Sequence, residues 1–257
     1  MNDVKKSIVD TMDGIDGELC EFLPYIFQDV LVIGCCPELI LDLFESKKIG
    51  YTNKSDKLKI LDLGCGKGTV SVRIAEKYGH EIYGIDGLNG FIQDAINYSS
   101  SLGVSELCNF KVADIRTEVD LLMDYDVAIL CAVEVFGDMY NTLKRISPCV
   151  KSGGYIIIGS VYIEEHTDFN HPEIQLRSEV LSQLEESPVK IIDEILFDNI
   201  KDVQDENFKF MRKRIEELKK KHPHKADIFD SYILSQEEIC DVYENHTKLV
   251  VWLLQKE

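Results

Sequence analysis

The residues that first suggest chemistry lie in LDLGCGKGTV, from Leu61 to Val70, where Gly64, Gly66 and Gly68 alternate directly behind an apolar run. A strand that ends in glycines and turns into a helix brings bare backbone N–H groups, and the positive end of the helix, close to a ligand. A phosphate-binding loop of the nucleoside-triphosphatase kind needs G-x-x-x-x-G-K-[ST]. Lys67 does follow Gly66, but position 61 is Leu and position 68 is Gly. The dinucleotide pattern G-x-G-x-x-G fails at its third glycine, because position 69 is Thr. What remains is G-x-G-x-G behind an acid, Asp62.

That acid narrows the ligand. A carboxylate beside the loop opposes a pyrophosphate and favours a ligand with positive charge. S-adenosylmethionine fits: it carries a sulfonium, an ammonium and a ribose diol, and no phosphate. Asp86 ends the next apolar segment, EIYGID, at the spacing from which an acid reaches a ribose. Asp114 closes KVAD and is placed to meet an adenine edge.

The elements that must hold these residues follow from the hydrophobic pattern. LKILDL, EIYGID, CNFKVAD and YDVAILCAV read as strands, the last apolar enough to be buried on both faces. SGGYIIIGSVYI reads as a turn and a long strand. Helices are expected over 67–78, with Val70, Ile74, Ala75 and Tyr78 inward, over 88–100, and over 136–150 ending before Pro148. This alternation predicts a mainly parallel twisted sheet with ligands off the carboxyl ends of its strands. The first fifty residues read as helical, with Leu19, Phe22, Leu23, Ile26, Phe27 and Val30 at helix spacing and Pro24 marking a kink or new start. Pro37 opens a helix that buries Leu39, Ile40, Leu43 and Phe44, and Tyr51 to Lys57 is a polar connector. Aromatics such as Phe22, Tyr25, Phe27 and Tyr51 read as core. Past Ile163 come a loop with a helix, a strand in VKIIDEILFD, polar helices over 203–222 and 225–243, and a closing strand in TKLVVWLLQ. The two late strands extend the sheet by an antiparallel edge or pair.

In this order and spacing, LDLGCGKGTV, IYGIDG, VADI, YDVAILCAVEVFGD and LKRISPCVKSGGYIIIGS resemble the class I S-adenosylmethionine-dependent methyltransferase family, from Lys57 to Val161. VKSGG matches the family's usual LKPGG turn, with Ser152 where proline is common. The resemblance implies an α/β three-layer sandwich with a mainly parallel, Rossmann-like sheet of about seven strands. N-terminal helices over 1–56 and a helical insertion after the fifth strand would act as a cap. Residues 57–163 would form the cofactor-binding core, and 164–257 the insertion with the strands that complete the sheet. Asp62, Gly64, Cys65, Gly66 and Gly68 would wrap the methionine part of the cofactor. Asp86, with Gly87, would take the ribose hydroxyls, and Asp114 and Ile115 the adenine. Cys131 would pass beside the amine and sulfonium. Glu134 stands where the family often faces the acceptor, as a base or a holder of a cationic amine; a helix N-terminal acid is the competing reading.

Composition bounds the partners. The formal net charge of −18 opposes nucleic acid and anionic membranes. The absence of an Asn/Asp-Pro-Pro-aromatic block after the fourth strand argues against base amines as acceptors. The basic run MRKRIEELKKKHPHK (211–225) reads as a solvated helix face with a Glu216–Lys220 pair, or else as a phosphate patch. The eight cysteines form no CxxC pair and read as core thiols, and His166 and His171 have poor metal spacing. No bilayer-spanning stretch or signal-peptide pattern is read, so a cytoplasmic protein is expected. The expected activity is methyl transfer to a small-molecule N, O, S or C nucleophile, with Tyr25, Tyr140 and Tyr162 as candidates for the acceptor pocket. A non-catalytic cofactor-binding protein and an NAD-linked oxidoreductase stay open, as do a monomer and a homodimer.

Overall fold

The apolar run ahead of the glycines forms β1 (Lys59–Leu63), in which every residue after Lys59 is buried. Such a strand needs partners on both edges and cover on both faces, and it has parallel neighbours β2 (Glu81–Asp86) and β4 (Tyr125–Cys131). β3 (Cys108–Val112) adds in parallel to β2, and β5 (Val150–Tyr162) in parallel to β4. The computed structural model describes residues 2–50, 57–197 and 201–257. Its seven-stranded sheet has the order β3-β2-β1-β4-β5-β7-β6, with β6 (Val189–Leu196) at the far edge and β7 (Lys248–Lys256) inside it. Phe197 N–H donates to the Leu249 carbonyl and Glu257 N–H to that of Pro188, so β6 and β7 run antiparallel. The Lys256 Nζ reaches the Val150 carbonyl at 2.7 Å, which sets the end of β7 against the start of β5. The sheet is therefore the mixed, mainly parallel one that the sequence predicts, with an antiparallel pair at one edge.

Two compact units can be separated. The larger comprises Val32–Ser160, Glu179–Ile195 and Val251–Glu257, and the smaller Met1–Leu31, Val161–Ser178 and Leu196–Val250. These lines differ from the consecutive division at residues 56 and 163, because the chain returns to each unit more than once.

In the larger unit α3 (Pro37–Ser46), α4 (Thr69–Tyr78), α5 (Asn89–Ser101), α6 (Ile115–Glu118) and α7 (Met139–Ile146) fill the connections. Pro37 opens α3 as expected, but Leu41 is buried in place of Leu39. In α4 the inward face is Val72, Ile74 and Ala75, while Val70 and Tyr78 are half-buried. Glycines at positive φ bound α4, Gly68 before it and Gly79 after it. α7 starts at Met139, not 136, because the Asp138 carboxylate accepts the Asn141 N–H at 2.8 Å and fixes the cap there. Ser147, Pro148 and Cys149 then tighten into a 3-10 turn.

The smaller unit holds α1 (Asn2–Thr11), α2 (Leu23–Ile26), α9 (Lys201–Lys221) and α10 (Ala226–His246). α8 (Arg177–Glu185) begins at the end of its middle stretch. The expected helix over Leu19 to Val30 is broken: a 3-10 turn at Gly17–Glu21 leads into α2, whose first turn carries Pro24. Its apolar residues are buried nonetheless, with Phe22 edge-on to Phe229 at 5.1 Å. The basic run is laced by ion pairs, Arg214 to Asp29 and Glu217, Lys219 to Glu216 and Asp230, Lys225 to Glu18 and Glu21. This is the solvated helix face; the pair to Glu216 comes from Lys219 in place of Lys220. Tyr51, the connector over 51–56, and Asp198 of the expected sixth strand lie outside the described residues. Among those described, no helix is long and apolar enough to cross a membrane.

Leu61 sits at 0% exposure in the middle of the sheet. Leu61→Ala is expected to lower unfolding free energy by about 2–5 kcal/mol, from lost burial and the cavity left behind. Urea denaturation followed by circular dichroism checks this, and a loss below 1 kcal/mol would remove β1 from the core.

Candidate functional site

The strand registers bring the predicted residues to one sheet edge. Leu63 pairs with Ile85 on one side and Leu130 on the other, so Gly64, Asp86 and Cys131 each lie one residue beyond. The turn is tied to β2 by its backbone: Gly64 and Cys65 N–H both donate to the Ile85 carbonyl, at 2.8 and 2.9 Å. The Gly68 N–H donates to the Cys65 carbonyl, also at 2.8 Å.

The three glycines have different reasons to be glycine. All three sit at positive φ, +72°, +52° and +71° for Gly64, Gly66 and Gly68. A Cβ on Gly64 would meet Val133 Cγ2 at 2.4 Å, and one on Gly68 would meet Ala95 Cβ at 2.9 Å. Gly64 and Gly68 are thus required by the protein's own packing. A Cβ on Gly66 would meet nothing within 4 Å. The middle of the turn faces open space, and that is where a ligand can pass against the backbone.

Two carboxylates flank this space. Asp62, near the end of β1, is 5% exposed, and burial pushes it up to about 7, with the Asp86 charge adding to the rise. The Ser71 hydroxyl, one turn into α4, donates to the Asp62 carboxylate and opposes the shift. Asp86 is half-buried, and desolvation raises it to about 6 against the hydrogen bonds it accepts. Its two oxygens accept Gly66 N–H at 2.9 Å and Leu88 N–H at 2.8 Å. Asp86 therefore holds the glycine turn in place and still has lone pairs for a diol. Gly87 follows it in the same turn.

Beside Asp62 is a cavity of about 20 Å³, lined also by Gly64, Thr69 and Cys131, with Ile33 and Cys35 from the stretch before α3. That volume suits one water or one ammonium group. Burial and the charge of Asp62 hold the Cys65 thiol well above its ordinary value. A hydrogen bond with Cys35, along with burial, raises Cys131. Immediately after Cys131, Ala132 takes φ +56°, a strained choice for a residue with a Cβ.

Asp114 lies two residues past the end of β3, where it caps α6 by accepting the Arg116 N–H at 2.9 Å. The Arg116 guanidinium is paired with the same carboxylate and holds it below the usual range. Ile115 is buried beside it. Glu134 is exposed in the loop between β4 and α7. Tyr25 and Tyr162 belong to the smaller unit, where the Tyr25 hydroxyl donates to Glu217 and Tyr162 is buried. Tyr140 is exposed on α7 and lines a separate cavity. Sequence reasoning missed Ser71, Ile33, Cys35 and Arg116. Only Ser71 left a signal, a hydroxyl one turn into the helix that the glycines open.

A parallel sheet with a glycine turn after its first strand and acids beyond neighbouring strands defines the class I methyltransferase architecture. A family model described as "Methyltransferase domain" matches residues 54–202, and the chain belongs to that family. Over 137 residues it is 26% identical to a ubiquinone biosynthesis O-methyltransferase of Rickettsia canadensis, covering 52% of this chain and 55% of that protein. It is 28% identical to the putative methyltransferase YqeM of Bacillus subtilis, covering 46% of this chain and 47% of that protein. The chain thus spans about half the length of these curated relatives. Among solved structures, a SAM-dependent methyltransferase from Geobacter sulfurreducens in complex with S-adenosyl-L-homocysteine shares the fold. Its TM-score is 0.75 at 18% identity, covering 95% of this chain and 99% of that one.

The packing around the glycines predicts an order of effects. Gly64→Ala is expected to cost about 2–4 kcal/mol, from strain and overpacking against Val133. Gly66→Ala is expected to cost about 1–2 kcal/mol, the strain alone. Equal losses in urea denaturation would contradict the distinction. Asp62 makes a second prediction. Its folded pKa is raised, so the folded state holds the proton more tightly than the unfolded one. The stability it confers is complete below about pH 4 and is lost as the pH rises through 7. Asp62→Asn should therefore flatten the pH dependence of the unfolding free energy between pH 4 and 7. An unchanged slope in that window would place the titration elsewhere.

Proposed function

We propose that this chain transfers the methyl group of S-adenosylmethionine to a small-molecule nucleophile. The observation that carries the reading is the open face of Gly66 between two desolvated carboxylates, Asp62 and Asp86. A buried acid without a counter-ion favours a cation beside it, and the adjacent cavity has room for one ammonium group. In this reading Asp62 takes the charge of the methionine amine, and Gly64, Cys65, Gly66 and Gly68 present their backbone to the methionine chain. Asp86, with Gly87, accepts from the ribose hydroxyls. Ile115 packs on the adenine, and Asp114, shared with Arg116, accepts at its edge. Cys131 borders the methionine end.

When bound, S-adenosylmethionine supplies a methyl group on a good leaving group, open to in-line displacement. The protein's part is then chiefly orientation, which removes the entropic cost of bringing donor and acceptor together. A general base is required only for an acceptor that keeps its proton at neutral pH, and Glu134 is the residue we assign to that task or to holding a cationic amine. A small-molecule acceptor agrees with the name of the Rickettsia relative and with a net charge of −18, which opposes polyanionic substrates.

Calorimetric titration with S-adenosylmethionine, S-adenosylhomocysteine and NAD tests the cofactor. Binding of both adenosyl compounds is expected; binding of NAD alone would overturn the reading. Asp86→Ala should weaken adenosyl binding by about 1–3 kcal/mol, the scale for a lost hydrogen-bond partner that carries charge. Transfer of a labelled methyl group to components of a metabolite extract tests catalysis itself.

A further inference from the structure

A second cavity, of about 480 Å³, opens in the larger unit at the other end of the sheet. It lies where β5 begins and β7 ends, between Lys144, Ser147, Pro148, Pro188 and Lys256, with Tyr140 at one side. The glycine turn lies beyond the carboxyl ends of the strands. Nine residues of β5 separate Val150 from Gly159, the partner of Cys131. β5 bulges against β4 on the way, and the six residue steps of β4 from Tyr125 to Cys131 that pair with this span measure about 20 Å, so the two sites do not overlap.

Two features of this cavity are unsatisfied. The Lys256 ammonium is half-buried and donates to the carbonyls of Ser147, at 2.8 Å, and Val150, at 2.7 Å. Those two bonds fix it in place and leave its third N–H unused. Among the described residues neither Lys256 nor Lys144 forms an ion pair, in a chain with eighteen more acids than bases. Ser147 meets the cavity with its backbone, since its side chain is buried away from solvent. A half-buried cation held only by neutral carbonyls gains from an anion. Two prolines and the Tyr140 ring make the apolar part of the wall. Glu186 and Ser187 also line the cavity; the exposed Glu186 offsets one of the two lysine charges, which leaves a net charge suited to one negative charge and opposes a ligand with several.

We propose that this cavity is a second ligand site, for a small organic monoanion: a carboxylate on an apolar or aromatic body. The volume falls within the range of small-molecule sites. Lys256 and Lys144 supply the charge, and Tyr140 with the prolines the surface for the body. The site stands on its own residues and does not depend on the methyl-transfer reading.

Backbone-amide NMR of the full chain tests it, with sodium benzoate, benzyl alcohol and pyrophosphate as probes. Benzoate is expected to shift the amides of Ser147, Val150 and Ser187 saturably and to leave those of Gly64 to Gly68 in place. Benzyl alcohol, without charge, and pyrophosphate, without an apolar body, are each expected to bind at least about fivefold more weakly. Lys144→Glu, on an exposed residue, should weaken benzoate by about fivefold or more, and Lys256→Gln should do the same. Unshifted amides at Gly64 to Gly68 show that each variant keeps its fold; if Lys256→Gln does not, Lys144→Glu decides. The proposal falls if benzoate gives no saturable shift, if benzyl alcohol or pyrophosphate matches it, or if Lys144→Glu leaves its affinity unchanged.

Discussion

A carboxylate withdrawn from water must be neutralised, hydrogen-bonded or protonated, and Asp62 is the residue on which this requirement falls in the methyltransferase sheet. β1 is buried on both faces, so an acid near its end loses its hydration whatever it binds. Ser71 returns one hydrogen bond, from a helix whose position is set by the glycine turn. Asp86 adds a second negative charge nearby and spends two of its acceptor sites holding Gly66 and Leu88. The turn, the helix start and both acids therefore form one unit: moving the turn would take the Gly66 donor from Asp86 and carry Ser71 off Asp62. A cation entering beside Asp62 relieves the burial of charge without rearranging any of these parts.

The same economy appears in the glycines. Gly64 and Gly68 are fixed by Val133, Ala95 and Phe110, side chains that build the protein. Only Gly66 has its missing side chain matched by open space. A motif that reads as three equal glycines is thus two packing constraints around a single opening. The backbone N–H of that opening is held by Asp86, so the acid that meets the ribose in the proposed reading also shapes the path of the methionine chain.

Much of this was legible because parallel strands buried on both faces leave near-continuous apolar runs, and because an acid at the end of such a run is conspicuous. Asp62, Asp86 and Asp114 were found on that ground, and the register aligns Asp86 with Gly64 and Cys131 at the carboxyl ends of the strands, with Asp62 two residues before Gly64. Contacts made across long sequence distances left no local trace. Ile33 and Cys35 reach the cavity from before α3, where the pattern spoke only of helices. The engagement of Asp114 by Arg116 was hidden because a cap and an adenine contact ask for the same residue type. The helix expected from Leu19 to Val30 broke for a local reason: hydrophobic spacing survives in a 3-10 turn and a short helix as well as in one long helix.

One feature of the cleft follows from the chemistry proposed for it. Cys35, Cys65 and Cys131 all line the cavity beside Asp62. A thiolate is a strong nucleophile, and a sulfonium methyl held close to one would alkylate the protein in place of its acceptor. Burial raises Cys65, with the Asp62 charge adding to it, and the hydrogen bond with Cys35, together with burial, raises Cys131. Burial at Cys65, and the Cys35 hydrogen bond with burial at Cys131, thus do most to keep these two thiols protonated, and a protonated thiol is a poor competitor for the methyl group. Cysteine is tolerated in this wall because burial disarms it; the same two thiols opened to water would sit closer to reactivity.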